Sequence, residues 1–305
     1  MFSQNKLDDF IRFLKAFLTN QIARYFPKYY IKMTHETGRG KQEKSSSEVC
    51  EYFQLCFSEY IELLEVPRDS IDAYLKGKAI LEYGPGDLPG TALLFYAWGA
   101  DKVYCVDRFP LVSFSEFNVN VLNGLCNSLP ENQKRRALSC FCEYGNPHSG
   151  FDKKKVEYLI HKDGLSCLVN QVDIVCSRAV LEHVNNLDLT LKDMEKALTE
   201  KGVGIHKVDL KSHGLHRENI LDFLTWPNIL WKLMYSHKGT PNRLRLSHYK
   251  KSLLKTNLKI DFIKSVENCN VNVIHEVRAY LSKSFKILSD EDLSTLSFWF
   301  KVSKQ

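Results

Sequence analysis

From residue 78 onward, short apolar runs alternate with longer amphipathic stretches. AILEYG (79–84), KVYCVD (102–107), VEYLI (156–160), DIVCSR (173–178) and GVGIHKVDL (202–210) read as strands. The stretches 88–98, 113–127, 180–199 and 216–235 read as helices. Strand followed by helix, repeated, predicts an α/β chain with a mostly parallel sheet and helices on both faces. LKIDFIKSV (258–266) and LSTLSFWFKV (293–302) add two strands, with a helical segment at 274–285 between them, for seven in all.

Ahead of this region the pattern is helical. Residues 7–30 place Phe10, Leu14, Phe17, Leu18, Ile22 and Phe26 on one face, with Arg12, Lys15 and Arg24 elsewhere. Asp8 and Asp9 suit the first turn of such a helix, and Pro27 marks its end. Residues 34–47 are polar, with Gly and Ser, and read as a linker. A second helix is expected to start at a Ser within 45–47 and to stop before Pro67. The expected organisation is therefore a basic amphipathic helix and linker (1–45), a helical lead-in packing on the core (46–77), and a main domain (78–305). Residues 211–250, longer than a plain connection needs, form a lid between the fifth and sixth strands.

Composition narrows the function classes. The 305 residues are 44% hydrophobic and 26% charged, ordinary for a globular chain. The net charge is +6, but residues 1–45 hold nine Lys or Arg against four Asp or Glu. The remaining body is close to neutral, so nucleic acid is not an expected partner. Nine scattered cysteines without a CxxC pair fit a reduced compartment and no structural zinc. Asp8, Asp9, Arg12 and Lys15 sit where a signal peptide would need an uncharged run. No apolar stretch reaches the roughly 18 residues of a membrane span. A cytoplasmic location is expected, with the N-terminal helix offering a peripheral contact at the inner membrane face, a homodimer contact, or packing on the domain.

The loop ILEYGPGDLPGT (80–91) follows the first strand. In an open α/β sheet, ligands sit beyond the carboxyl ends of the strands. Gly84 and Gly86 let backbone approach a ligand closely. A dinucleotide fingerprint would want its third glycine one residue before Gly90, and Glu82 would sit poorly beside a pyrophosphate. An acid suits a ligand carrying an amine and a sulfonium.

On these residues the chain resembles the class I S-adenosylmethionine-dependent methyltransferases, over residues 78–302. Their first motif is matched by Glu82-Tyr83-Gly84-Pro85-Gly86, and their acid closing the second strand by Asp107, 21 residues after Gly86. Asp163, followed by Gly164 in YLIHKDGL, matches the acid that accepts from the adenine amino group. VDIVCSRAVLEHV (172–184) is similar to the methyl-transfer edge, with Ser177 and Arg178 at the strand end. The resemblance implies a Rossmann-like fold, S-adenosylmethionine as cofactor with S-adenosylhomocysteine as product, and ribose binding by Asp107. Arg108 would cover the adenine face or be a surface charge. Glu182 and His183 would mostly stabilise a helix start, and a general-base role for either is the alternative.

Proton removal, where the acceptor needs it, falls to the fifth-strand exit IHKVDLKSHGLH. His206, Asp209 and His213 are the catalytic candidates there, with His216 close by. A loop-supporting role for them stays open, and their spacing matches no metal-binding helix, so no metal is expected. In the lid, Arg243, Arg245, Trp226 and Tyr249 are candidates for binding an anionic acceptor, or else pack the lid on the sheet. TWPNILWKLMYS and NRLRLSHY are loosely similar to segments of bacterial methyltransferases encoded with surface-glycan biosynthesis genes. The expected acceptor is a small molecule or glycan-type compound, methylated on oxygen or nitrogen. An RNA or protein methyltransferase is the alternative, although SRAV stands where amino-group methylases carry N/D-P-P-Y/F. A catalytically inactive scaffold at a membrane surface is the third reading.

Overall fold

A computed structural model of the chain describes residues 6–34 and 45–304. Most of the expected linker lies outside the described residues. The central sheet has seven strands: β1 (Ala79–Tyr83), β2 (Lys102–Asp107), β5 (Val156–Ile160), β6 (Val172–Arg178), β7 (Leu198–Asp209), β8 (Leu258–Asn268) and β9 (Thr295–Lys304). The intervening β3 (Phe141–Glu143) and β4 (Asn146–Phe151) form a separate antiparallel hairpin. The sheet order is β5-β2-β1-β6-β7-β9-β8. The first five strands run parallel, and β9 inserts antiparallel between β7 and β8. This is the expected mixed α/β, Rossmann-like sheet.

Side-chain alternation sends neighbours on each strand to opposite layers. Ile80, Val103, Cys105, Cys176, Ile205 and Trp299 pack toward α3 (Ser46–Leu63), α4 (Ile71–Leu75), α5 (Gly90–Ala97), α6 (Glu116–Asn127) and α7 (Glu131–Ser139). Leu81, Tyr83, Val106, Val175, Val208, Phe298 and Phe300 pack toward α8 (Leu187–Ala197) and α10 (Leu246–Leu253). Both layers cover the middle strands, which is why those strands read as nearly continuous apolar runs. Ser45 caps α3, its hydroxyl accepting from the Glu48 amide at 3.2 Å. Phe53 of α3 lies so close to α5 that a Cβ at Gly90 would stand 2.5 Å from its ring. The third glycine of the loop thus serves helix packing.

The segment 211–250 builds a third core. Its expected helix is shortened to α9 (Asn228–Tyr235), preceded by a tight turn at Asp222–Thr225, because Pro227 breaks the run. Leu221, Phe223, Trp231 and Met234 pack there against α11 (Val271–Arg278), Phe285 of α12 (Lys283–Lys286) and Leu293 of α13 (Asp290–Ser294).

The N-terminal helix breaks at Phe26 into α1 (Lys6–Tyr25) and α2 (Pro27–Thr34). The expected apolar stripe is split, with Phe17 and Ile22 half-buried and Phe10, Leu14, Leu18 and Phe26 turned outward. Phe13 and Ala16 join the third core, Ala23 is buried, and Asn20 donates to the Leu233 carbonyl at 2.9 Å. Leu7, Phe10, Leu14 and Leu18 are exposed. Small residues and one polar anchor bring α1 onto α9, and the bulky row is left on the outside.

Candidate functional site

Backbone hydrogen bonding aligns the carboxyl ends of β1, β2, β5 and β6. The Gly84 amide donates to the Val106 carbonyl at 2.8 Å, which sets it beside Asp107, and the His161 amide donates to the Asp107 carbonyl at 3.1 Å. Gly84 has φ 63° and Gly86 φ 72°. A Cβ at Gly84 would also lie 2.4 Å from Val180, so the position excludes other residues by conformation and by space. The Asn118 side chain holds the loop by donating to Asp87 Oδ2 at 3.1 Å and to the Ser113 carbonyl at 3.0 Å.

The two acids of this crevice differ in what they touch. The Glu82 carboxyl is buried and directed at the start of α5, where Thr91, the Ala92 amide and the Cys105 thiol meet it. Burial outweighs these hydrogen bonds and pushes its pKa up to about 7. Glu82 therefore caps α5 and lends the loop its field, which corrects the expectation that it lies open beside a ligand. The Asp107 carboxyl accepts from the Phe109 amide at 3.0 Å. Burial pushes Asp107 up to about 6, against its amide bonds and the neighbouring Arg108 charge. A carboxylate offers about four acceptor directions, so Asp107 keeps capacity for a further ligand.

Arg108 stacks on the Phe109 ring at 4.6 Å and is drawn on electrostatically by Asp107 and by the exposed Asp163. Gly164 turns with φ 67° against Arg108. The 211–250 segment reaches this point, since a Cβ at Gly239 would stand 3.1 Å from the Arg108 guanidinium. Pro85 lies buried in the turn between the two glycines. Tyr83 points into the layer below, where its hydroxyl donates to Asp193, which also receives the Ser166 amide at 2.6 Å. Its side chain fastens the sheet to α8 and the 166–167 loop.

The proposed catalytic trio does not assemble. His206 is 1% exposed, bonds the Ser177 hydroxyl through Nδ1 at 2.8 Å and lies 4.7 Å from the Phe300 ring. Burial holds it neutral, with a pKa pushed down to about 3. Ser177 sits at the penultimate position of β6, paired with His206, but both side chains turn into the buried α8 layer. His206→Ala is expected to lower stability by about 2–4 kcal/mol through a cavity and an unpaired Ser177 hydroxyl. An unchanged melting temperature with lost turnover would return His206 to the chemistry.

Arg178 leaves the strand end for an ion pair with Glu59 of α3, where Lys207 joins at 3.5 Å. The two arginines of the 211–250 segment are likewise engaged within the protein. Arg243 donates to the Trp226 carbonyl at 2.7 Å, to the Phe223 carbonyl at 3.2 Å and to Asn228 Oδ1 at 2.7 Å, over the Trp231 ring. Arg245 is 0% exposed, and its guanidinium donates to the Leu210, Asp292, Leu293 and Thr295 carbonyls. Tyr249 is buried against Phe298, and Trp226 lies under the Arg217 guanidinium. Trp226 and Arg243 are spent on the third core, Tyr249 on the second, and Arg245 on the backbone between them, so the expectation that these four grip an anionic acceptor is not met.

The exit of β7 does open to solvent. Asp209, Lys211, Ser212, His213, His216 and Glu267 are among the residues around a cavity of about 320 Å³. The Ser212 hydroxyl pairs with His216 Nδ1, and Lys211 bridges to Glu267 at 2.8 Å. His213 has φ 50° and sits edge-on to His183, ring centres 4.9 Å apart. Glu182 and His183 occupy a single 3-10 helical turn, Leu181–His183, ahead of α8. Asn242 of the 211–250 segment clamps that turn, its amide donating to the Glu182 carbonyl at 2.6 Å and its side chain to the Leu181 and Val184 carbonyls. The meeting of Glu182, His183 and His213 was not expected, although each residue type is one that chemistry uses.

No protein-family model and no curated protein matches the chain. Among solved structures, it is similar to an S-adenosylmethionine-dependent methyltransferase from Mesorhizobium loti, at 14% identity and a TM-score of 0.41, covering 75% of this chain and 92% of that one. It is also similar to phosphoethanolamine N-methyltransferase 2 of Haemonchus contortus in complex with S-adenosyl-L-methionine. There the identity is 17% and the TM-score 0.41, over 75% of this chain and 49% of that one. At these scores the likenesses decide neither activity nor substrate.

Proposed function

We propose that the chain transfers a methyl group from S-adenosylmethionine to an oxygen or nitrogen of a small-molecule or glycan-type acceptor. The observation that carries this reading is the pairing of two left-handed glycines after β1 with Asp107 closing β2 one strand away. The glycine turn admits a nucleoside against bare backbone, and Asp107 would accept from both ribose hydroxyls. Asp163 would accept from the adenine amino group, and Arg108 with Phe109 would border the ring. Bound there, the cofactor supplies an electrophilic methyl on its sulfonium.

Displacement in line needs the acceptor held along one axis, and well-aligned groups gain about 7–11 kcal/mol from such positioning. The lid supports this by closing over Arg108 through Gly239. A proton from the acceptor would leave toward the β7 exit, where Asp209 and His213 line the open cavity, and not toward buried His206. Isothermal titration of the full chain with S-adenosylmethionine and S-adenosylhomocysteine tests the reading, followed by turnover with candidate acceptors. Folded protein that binds neither compound would falsify it.

For the outward row of α1 we propose a peripheral contact with an anionic membrane surface. Leu7, Phe10, Leu14 and Leu18 are exposed, with Arg12, Lys15 and Arg24 exposed around them. No helix among the described residues is long and apolar enough to cross a membrane. Phe10→Glu with Leu14→Glu should reduce co-sedimentation with anionic vesicles to the level of neutral ones. Equal pelleting of the variant and the natural chain removes the idea.

A further inference from the structure

Where the turn after β6 meets the loop after β7, three potential ligand side chains converge. One donor atom each from Glu182, His183 and His213 lies within 4.8 Å of the others. Glu182 is 1% exposed, and its Oε1 accepts from the Asp209 amide at 3.2 Å. Its Oε2 is buried with no hydrogen-bond partner among the described residues, and so is Nδ1 of His183. A buried polar atom left without a partner is destabilising, because it has given up water for nothing. Both atoms belong to residues of this one cluster, where a cation would give them a shared partner that accepts their lone pairs.

We propose that Glu182, His183 and His213 bind a divalent transition-metal cation of the zinc type. Two imidazoles and one carboxylate are a borderline donor set that such cations prefer, and three protein ligands leave a coordination position open. Bonds of about 2.0–2.2 Å set tetrahedral ligand atoms about 3.4 Å apart, so donor atoms now within 4.8 Å of one another would close by at most about 1.4 Å.

Protonation is compatible. His183 is held neutral by burial and by His213 beside it, so its lone pair is available at neutral pH. Burial, with Asp209 nearby, raises the Glu182 carboxyl well above its ordinary range, and a cation would reverse this by favouring the charged form. The surroundings act as a supporting shell. The Gly239 and Thr240 carbonyls meet the His183 ring, and Asn242 fixes the turn that carries both ligands. The left-handed backbone at His213, unusual for a non-glycine residue, delivers its ring to the cluster.

His213 also lines the cavity at the β7 exit, so the open coordination position would be reached from there. An acceptor hydroxyl bound at that position would lose its proton more readily. This use rests on the methyl-transfer reading, whereas the cation site does not.

The test is titration of chelator-treated full-length protein with Zn²⁺ by calorimetry and with Co²⁺ by visible absorption. One equivalent is expected to bind, with d–d bands of nitrogen and oxygen ligation. Glu182→Gln and His213→Asn should each weaken binding by at least about tenfold. His213 is exposed and Asn tolerates its backbone conformation, so that variant decides the matter should Glu182→Gln fold poorly. Absence of stoichiometric binding by folded protein, or natural affinity in His213→Asn, overturns the proposal. S-adenosylmethionine titration, run separately, reports on methyl transfer and leaves the two failures distinguishable.

Discussion

Asp107→Ala is expected to reduce S-adenosylmethionine affinity by at least about 100-fold while the chain stays folded. Two hydrogen bonds to a charged acceptor contribute about 1.5–3 kcal/mol each, and about 1.4 kcal/mol is a factor of ten. Asp107→Asn keeps an acceptor for the Phe109 amide, which separates ligand loss from loop damage. A pH profile adds a second readout. In the free chain the Asp107 carboxyl titrates at about 6, above its ordinary 3.8, because burial disfavours the charge. Ribose hydroxyls bind the ionised form, so affinity should be full above pH 7 and fall by up to about tenfold per unit below 6. Asp107→Asn should remove that step and keep any effect of Glu82, which titrates near 7.

The sign for stability is opposite. Both carboxyls have folded pKa values above their unfolded ones, so their contribution is fully present below about pH 4 and is lost as pH rises through 6 to 7 in the ligand-free chain. Bound cofactor should offset the Asp107 part. Calorimetric titration across pH 5 to 8 checks the binding profile, and thermal melts with and without ligand check the stability profile. A flat affinity profile would remove Asp107 from the site.

The sheet was legible because residues such as Ile80, Val103, Ile174 and Ile205 sit in apolar runs buried on both faces. Helix α7 was not, since Ala137 is its only buried residue and the remainder reads as polar loop. The glycine loop and Asp107 were legible as local spacing. Roles set by distant partners were not. His206 reads as a strand-exit base until the β7–β9 pairing places it opposite Phe300. Glu182 and His183 lie thirty residues from His213, and only the parallel pairing of Ser177 with His206 brings their two loops to the same edge. Phe10 and Leu14 carry the strongest helical stripe, yet packing went to the face with Ala16, Asn20 and Ala23, where α1 can close on α9.

Arg245 shows the same limit with the largest structural consequence. Its guanidinium donates to the Leu210 carbonyl at 2.8 Å, to Asp292 at 3.3 Å, to Leu293 at 3.2 Å and to Thr295. Those carbonyls belong to the end of β7, to α13 and to the start of β9, which the Leu210 amide also joins by donating to the Leu296 carbonyl at 2.7 Å. Asp292 balances part of the charge and receives the Ser247 amide at 2.7 Å. Burial pulls the Arg245 pKa down to about 10, so the group stays cationic at neutral pH. Arg245→Met fills similar volume but leaves four buried carbonyls short of a donor. The expected cost is about 3–5 kcal/mol, comparable to removing one partner of a buried pair. For a chain of 305 residues that lowers the melting temperature by roughly 5–8 °C. Arg245→Lys should recover only a fraction, because a single ammonium cannot reach four carbonyls in one plane. An acceptor-binding arginine would behave otherwise, keeping its melting temperature in Arg245→Met and raising KM alone. Thermal melts of the two variants beside their cofactor titration curves decide between these roles, and lost stability with unchanged cofactor affinity in the surviving folded fraction is the outcome the geometry requires.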